Sequence, residues 1–520
     1  MSSPLSSSSN VPNHKAAAST PKASAAASSS SPSLSEVVTL APILHVVATL
    51  HGDQPHLKPE ERQTTHHREA ALSPRFPSVH AQQKFVDVLQ ALVTLCAAEP
   101  GENNIAAMVA LSNQEIKLFI CQNGGRPFRD IKQHLQTVWR VLHQLHALVS
   151  LPDTEPSNLV TPPRVANPSE LELSRNLLTI AHLFVAKKAV HRAKKRLPLL
   201  EKLLSHVVSE PSTTDFQRRL VLLLVAIADS ASEVFKKGFN NLEERQDWKE
   251  YRGHTRLLYN LTIDDTYVEN MDDVEILQVI AESLGFNLKE TIEKAVKVQA
   301  AALTLNRFAV SPHRGWITGL DLRVQPVPLP ATTSIDVQLD EFDSWCPPTI
   351  VLGEFHSDLR KRAATSTNET ITINSNIHSE CELVARVIDN TTTGVLAGFD
   401  LIHYVCCSKL HCHFCHLWLE NLNKVRDTNV AFDGSHGGVK PGWLPPTWET
   451  PLYGQTLAGM RSQLEQELGT QGHGRAVPST SSDPSTSMVE PSTDVDEQRF
   501  AMKTEQLLAR KLRNIHLYEY

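Results

Sequence analysis

The sequence has little cysteine and no long apolar run. Eight cysteines among 520 residues are too few for a disulfide scaffold. The longest uninterrupted apolar run, Leu220 to Ala228, has nine residues, whereas a membrane span needs about 20. The first residues also lack the charged segment followed by an apolar one that forms a secretory signal. These absences together predict an intracellular protein, in the cytoplasm or nucleus, that does not contact a membrane.

An excess of charge of one sign is lacking as well. The chain has 50 Lys and Arg residues against 57 Asp and Glu residues, for a net charge of −7. The overall charge therefore does not point to a nucleic-acid or anionic-membrane partner. Hydrophobic residues make up 41% of the chain, which is enough to bury a core and excludes a wholly disordered protein.

Two segments have few large apolar residues. Residues 1–35 contain 14 Ser and 7 Ala and no acidic residue, so burial cannot offset the entropy of ordering them and we expect a disordered tail. Residues 467–495 are rich in Ser, Thr, Pro and Gly, which predicts a disordered linker. Residues 496–520 follow as an amphipathic helix. Docking on the rest of the chain, or exposure to solvent, is expected more often than binding of a protein partner.

Residues 36–312 favour helices. Apolar residues recur at three- and four-residue steps, for example over Phe85–Leu95 and Ile131–Leu145, which is typical of one buried helix face. Pro198 is expected to end or kink the helix that begins near Ser169. The pattern predicts an N-terminal all-α helical domain of eight or nine helices.

Residues 313–466 have a different pattern. Strands are predicted at 334–339, 349–352, 370–373 and 401–407, and helices at 377–388 and 410–422. The apolar run at 401–407 is typical of a central strand. We therefore expect an α/β domain with a mixed sheet flanked by helices, and an α+β fold class for the whole chain.

Four residues in this second region have the spacing of a metal-dependent catalytic site. His378 and Glu380 stand at the start of one predicted helix, and Cys412 and Cys415 stand at the start of the next, 34 residues after His378. One imidazole and two thiolates leave the fourth tetrahedral position of Zn²⁺ open for water. Zinc lowers the pKa of such a water towards neutrality. A carboxylate two residues from the ligand histidine can then carry protons without binding the metal.

A second arrangement uses some of the same residues. Cys407, Cys412, Cys415 and His416 would close a four-ligand structural zinc site with no open position. In that case the chain would be a non-catalytic interaction protein. The motif spacing alone does not decide between the two arrangements.

The sequence resembles a known family in this region. The matching stretches are Ile377–Leu383, Tyr404–Cys415, Gly434–Gly438, Trp443 and Pro445–Pro446. They are similar to the cytidine-deaminase-like superfamily, and within it to the OTT-type deaminase-like family, which is abundant in fungi. The chain has His411 where the general deaminase pattern has a proline before its first cysteine.

The resemblance implies a function and a set of roles. It implies a cytidine-deaminase-like α/β fold, Zn²⁺ bound by His378, Cys412 and Cys415, and Glu380 as the proton carrier. The implied reaction is hydrolytic deamination of a nucleobase in a nucleotide or nucleic acid. With this resemblance, the catalytic arrangement is favoured over the structural zinc site.

Three further residues are candidates for substrate binding. Asn374 and Asn376 precede the predicted ligand histidine and can hydrogen-bond a sugar hydroxyl or a base edge, although capping of the following helix is the expected role. His436 lies in a glycine-flanked loop and either lines the pocket or belongs to a plain turn.

One short segment is strongly basic. Lysines, arginines and a histidine crowd residues 187–196 without interleaved aromatic residues. Contact with nucleic acid is one interpretation, and a solvated helix face is the more common one. The helical domain and the C-terminal helix are the two candidate surfaces for a protein partner.

Overall fold

The computed structural model describes part of the chain. The described residues are 72–101, 104–149, 168–311, 315–338, 365–366, 370–432, 442–446, 452, 454–460 and 462. The predicted tail at 1–35, the linker at 467–495 and the helix at 496–520 lie outside them. So do the predicted strand at 349–352 and His436.

Helices and strands both contribute to the described part of the chain. The helices are α1 (Val79–Cys96), α2 (Phe128–Val149), α3 (Pro168–Ser209), α4 (Asp215–Lys237), α5 (Gln246–Ile263), α6 (Asp265–Glu269), α7 (Met271–Ser283), α8 (Leu288–Ala309), α9 (Gly315–Thr318), α10 (Ser379–Thr392) and α11 (His413–Arg426). The strands are β1 (Ile105–Leu111), β2 (Glu115–Gln122), β3 (Asp321–Val327), β4 (Thr333–Gln338), β5 (Thr365–Ser366), β6 (Thr370–Ile377), β7 (Asp400–Cys407), β8 (Ala431–Phe432) and β9 (Trp443–Leu444).

The main sheet has five strands in the order β3-β2-β1-β7-β8. Strand β1 pairs antiparallel with both β2 and β7, while the β2–β3 and β7–β8 pairs are parallel. The predicted mixed sheet is thus confirmed, and β7 lies inside it, as the apolar run at 401–407 predicted. A second sheet has the order β4-β6-β5, and β9 pairs with β6.

Both faces of the main sheet are covered. Alternate residues of β1 point to opposite faces, as the two-residue period of a strand requires. Met108 and Ala110 belong to the core beneath α10 and α11, and Val109 belongs to the core that includes residues of α1, α2 and α8. A third core joins α3, α4, α5, α7 and α8 without any strand.

Strands β1 and β2 correct the sequence interpretation. The apolar spacing predicts helices over 36–312, yet residues 105–111 and 115–122 are strands. Every residue of β1 is buried, so its sequence has no polar–apolar alternation, and a short continuous apolar run does not distinguish a buried strand from a helix. The main sheet therefore contains strands from both sides of the predicted boundary at 312/313.

Helix α3 differs from its prediction too. It runs through Pro198 and ends 11 residues later, at Ser209, so the expected end at this proline is wrong. Among the described residues, no helix combines the length and the apolar character needed to cross a membrane.

Candidate metal and catalytic centre

Two helix N-termini face each other at the end of the main sheet. His378 is the N-cap of α10, and Cys412 is the N-cap of α11, which follows β7 after a short loop. The Cys415 backbone N–H donates to Cys412 Sγ at 3.4 Å, so this sulfur closes the first turn of its own helix. The partial positive charge of both helix ends favours thiolates between them.

Three potential metal donors meet at this point. Nδ1 of His378 lies 3.5 Å from Cys412 Sγ and 3.2 Å from Cys415 Sγ, and the two sulfurs are 3.2 Å apart. Both cysteines are buried, and the His378 side chain is 17% exposed. Within the described residues, these three form the group of His, Cys, Asp and Glu donors able to hold a metal ion.

The donor set fits a tetrahedral zinc ion. Zinc–sulfur bonds of about 2.3 Å and zinc–nitrogen bonds of about 2.0 Å place sulfurs roughly 3.8 Å apart, with sulfur and nitrogen about 3.5 Å apart. The observed nitrogen–sulfur distances are 3.5 and 3.2 Å, and the sulfur–sulfur distance of 3.2 Å is shorter than the expected one by about 0.6 Å. Small side-chain movements therefore accommodate the ion.

The thiols are protonated in the absence of a metal. Burial raises the pKa of Cys412 and of Cys415 well above the usual value. The neighbouring His378 opposes this shift at Cys412, but burial outweighs it. A metal that binds here must therefore displace two protons.

Glu380 places a buried carboxylate beside the three donors. It is 1% exposed, and its Oε1 lies 3.9 Å from Nδ1 of His378. Its Oε2 accepts hydrogen bonds from the Ser379 hydroxyl at 3.2 Å and from Asn104 Nδ2 at 3.0 Å. Burial raises the pKa of this carboxyl, but His378, His411 and hydrogen bonds from its own backbone N–H and from Cys415 together outweigh that effect, so the pKa lies below its ordinary value. The carboxylate is thus ionised and able to accept a proton.

Residues 377–447 match the family model described as OTT_1508-like deaminase. This segment is therefore similar to a deaminase domain. No curated protein and no solved structure matches the chain at a significant level. The match confirms the resemblance on which the sequence interpretation depends.

Residues outside the matched segment contact the candidate site. Asn104, which precedes β1, donates to Glu380 and accepts from the Ser408 hydroxyl at 3.1 Å. Ser408 is fixed to the first residue of β1, because its hydroxyl accepts from the Ile105 N–H at 3.0 Å and its own N–H donates to the Ile105 carbonyl at 2.9 Å. The sequence alone does not single out Asn104, since no local motif marks it and the strand that follows it has no polar–apolar alternation.

The four-ligand alternative does not assemble among the described residues. Cys407 Sγ contacts Nε2 of His411 at 3.3 Å, and Nε2 of His416 lies 3.7 Å from the Glu420 carboxylate. Neither Cys407 nor His416 joins the donor group of His378, Cys412 and Cys415. His411, at the proline position of the general pattern, is fully buried and packs edge-on against Phe432.

The two asparagines do not cap α10. His378 occupies the N-cap position, so the capping interpretation is wrong for both. Asn374 is exposed and accepts a hydrogen bond from the Ser334 hydroxyl of β4 at 2.9 Å. Asn376 is half-buried, and its backbone N–H donates to the Gly442 carbonyl at 2.8 Å. Their role in substrate binding stays a prediction, as does that of His436 outside the described residues.

Proposed function

We propose that this protein is a zinc-dependent hydrolytic deaminase that acts on a nucleobase in a nucleotide or nucleic acid. His378, Cys412 and Cys415 would hold the ion, which when bound supplies water activated near neutral pH. The observation that carries the proposal is the buried carboxylate of Glu380 beside a three-donor cluster, in a segment that matches a deaminase family. A site with three protein ligands leaves a position for water, as a catalytic site requires.

The two oxygens of Glu380 have different tasks in this proposal. Oε2 is held by Asn104 and Ser379, which fixes the plane of the carboxylate. Oε1 faces His378 and is the atom that accepts a proton from water and returns it. In the overall reaction, water adds its oxygen to the amidine carbon, the exocyclic C–N bond breaks and ammonia leaves.

The direct test replaces the carboxylate without changing its size. Ammonia release would be followed with cytidine, adenosine, their monophosphates and single-stranded oligonucleotides. We expect Glu380→Gln to lower the rate about 10²–10⁴-fold while retaining metal and stability, because it removes the proton acceptor alone. Glu382→Gln is the matched control, since Glu382 lies on the same helix and pairs with Arg386 at 2.7 Å.

Two results would contradict this role. Full activity in Glu380→Gln would exclude proton transfer by this residue, and loss of metal or of folding would make it structural. Zinc content in His378→Ala separates the two metal arrangements. Loss of zinc supports the three-donor site, whereas retained zinc would assign the metal to the cysteine- and histidine-rich stretch at 403–416 and a non-catalytic role to the domain.

A further inference from the structure

Basic side chains from two helices converge on a cavity far along the chain from the metal donors. The cavity has a volume of about 240 Å³. Its basic lining consists of Arg192, Lys195 and Arg196 from α3 and Lys294 from α8. Apolar side chains, among them Leu224 of α4, complete the wall. We call this the cationic cavity.

A smaller cavity adjoins it. This cavity, of about 30 Å³, shares Arg192 and Lys294 with the cationic cavity and adds Lys188 and Lys297. Ser408, which accompanies Asn104 beside the candidate catalytic carboxylate, also lines it. The two cavities share lining residues and together present six basic residues, four from α3 and two from α8, so we use the name cationic cavity for both.

Two of these residues have cationic side chains that form no hydrogen bond or ion pair within the described residues, and one of them, Lys188, is buried. The Lys188 side chain is 5% exposed, and within the described residues its ammonium has no hydrogen bond or ion pair. Arg192, one helical turn later, is half-buried, and its guanidinium has neither of these contacts in that part of the chain, although the Glu290 carboxylate acts on it. Burial and the nearby cations Arg192, Lys409 and Lys297 lower the pKa of Lys188 to about 7.

The nearby carboxylates offset this positive charge only in part. Glu290 pairs with Lys294 and is the acidic residue that acts on Arg192. Glu99 pairs with Lys187 and Arg126 instead. Like charges four residues apart on a helix repel, and a buried charge without a partner destabilises a fold. The arrangement is therefore unfavourable unless an anion occupies the region.

We propose that the cationic cavity binds a compact anion that carries two or more phosphate groups. Arginine and lysine together suit phosphate, since guanidinium donates paired hydrogen bonds and ammonium acts as a point charge. Lys188 and Arg192 lie between helices rather than along an exposed face, which favours a compact anion over an extended nucleic-acid strand. The solvated-face interpretation of residues 187–196 is accordingly wrong for Lys188. The proposal does not depend on deaminase activity.

The test uses the full chain and tripolyphosphate as the probe. Calorimetry and thermal unfolding would be measured for the wild type, Lys188→Met and Arg192→Met. We expect each variant to weaken binding by about tenfold or more, because each removes a charged phosphate contact. We also expect the ligand-free variants to melt at or above the wild-type temperature, since a repulsive buried charge is gone. Lys202→Met is the control, because Lys202 is exposed on α3 and lies outside both cavities.

Parallel titrations with ATP and with a single-stranded oligonucleotide identify the source of the phosphates. Tighter binding of ATP than of tripolyphosphate supports a nucleotide ligand, and the reverse order supports an inorganic polyphosphate. Three results overturn the proposal: no binding of tripolyphosphate, binding that both methionine variants retain, or preferential binding of the oligonucleotide. A fall in the melting temperature of both ligand-free variants also overturns it, because the cations would then be paired within this chain. If Glu380→Gln binds tripolyphosphate as tightly as the wild type, the outcome of this test is independent of the deaminase proposal.

Discussion

Glu380 and Glu382 show how position on a helix separates two buried carboxylates. Residues two apart on a helix do not share a face. Glu380 consequently points to the metal donors and Asn104, whereas Glu382 pairs with the largely exposed Arg386. A glutamate is thus suited to proton transfer at position 380, whereas at position 382 it forms an ion pair with Arg386.

Asn104 is the positioning residue for the Glu380 carboxylate. We expect Asn104→Ala to lower the deamination rate by about 10- to 100-fold, because Oε2 loses a hydrogen bond to a charged group. Metal content is expected to stay unchanged. Asn104→Asp would place a like charge beside Glu380 and raise its pKa, so the acid limb of the pH–rate profile would move to higher pH.

The control for this prediction is Asn113→Ala, at the other end of β1, where Asn113 accepts a hydrogen bond from Arg75 at 2.6 Å. If Asn104 had a purely structural role, Asn104→Ala and Asn104→Asp would lose stability and bound metal to the same extent. An unshifted pH–rate profile in Asn104→Asp would show that this residue does not act on the carboxylate.

Metal affinity at the donor cluster is expected to depend steeply on pH. Since the raised pKa values of Cys412 and Cys415 keep both thiols protonated without metal, the apparent zinc association constant is expected to rise by about two log units per pH unit. Titration against a competing chelator between about pH 7.5 and 8.5 measures this slope.

Cys415→Ser is expected to reduce the slope to about one. Cys406→Ala leaves it unchanged, because Cys406 belongs to the core on the other face of the sheet. A wild-type slope near zero would show that the thiols are already ionised.

At the scale of elements, the short strand β9 fixes the start of α10. Trp443 and Leu444 pair in parallel with Asn376 and Ile377, the two residues that precede His378. Gly442 comes directly before this strand, and a Cβ atom built on it would lie 2.3 Å from the Asn374 carbonyl oxygen. The approach of the two backbones therefore requires glycine here.

Gly442→Ala is expected to destabilise the protein and weaken metal binding. The added methyl group must push β9 away from β6, at a cost of about 1–3 kcal/mol in the free energy of unfolding. Denaturant unfolding and zinc titration measure the two effects. Gly253→Ala is the control, since a Cβ there meets nothing within 4 Å and alanine favours the interior of a helix by about 0.5–1 kcal/mol. Equal stability of Gly442→Ala and the wild type would show that β9 can shift away from β6 without a loss of stability.

How far the sequence predicts these elements depends on the range of the interactions. The spacing of His378, Cys412 and Cys415 predicts a three-donor cluster because each residue starts or lies near the start of a recognisable helix, and the structure brings the three donor atoms together. Strand β1 is not predictable in this way, since its burial comes from two layers that lie elsewhere in the chain. Asn104 and Glu380 are 276 positions apart, so their hydrogen bond emerges only once β1 is placed beside β7.

At the scale of the whole molecule, the sheet under the metal centre is assembled from distant segments. Strands β1 and β2 come from before residue 123, and β7 and β8 come from within the matched deaminase segment. Helices α2 to α9 intervene between β2 and β3, and several of them build a core without strands. The main sheet is therefore built from strands on both sides of the helical region.

This arrangement predicts that residues 313–466 do not fold alone. Without β1, strand β7 becomes an edge with unpaired backbone groups, and the core beneath α10 and α11 loses Met108 and Phe119. Large buried side chains contribute about 1.5–3 kcal/mol each, and Ile402 and Tyr404 on the opposite face would also become exposed. These losses approach the net stability of about 5–15 kcal/mol that a domain has.

We expect the fragment to show no cooperative thermal transition, whereas the full chain shows one. A fragment that unfolds cooperatively and binds one zinc would mean that the strands before residue 123 add to a domain already complete without them.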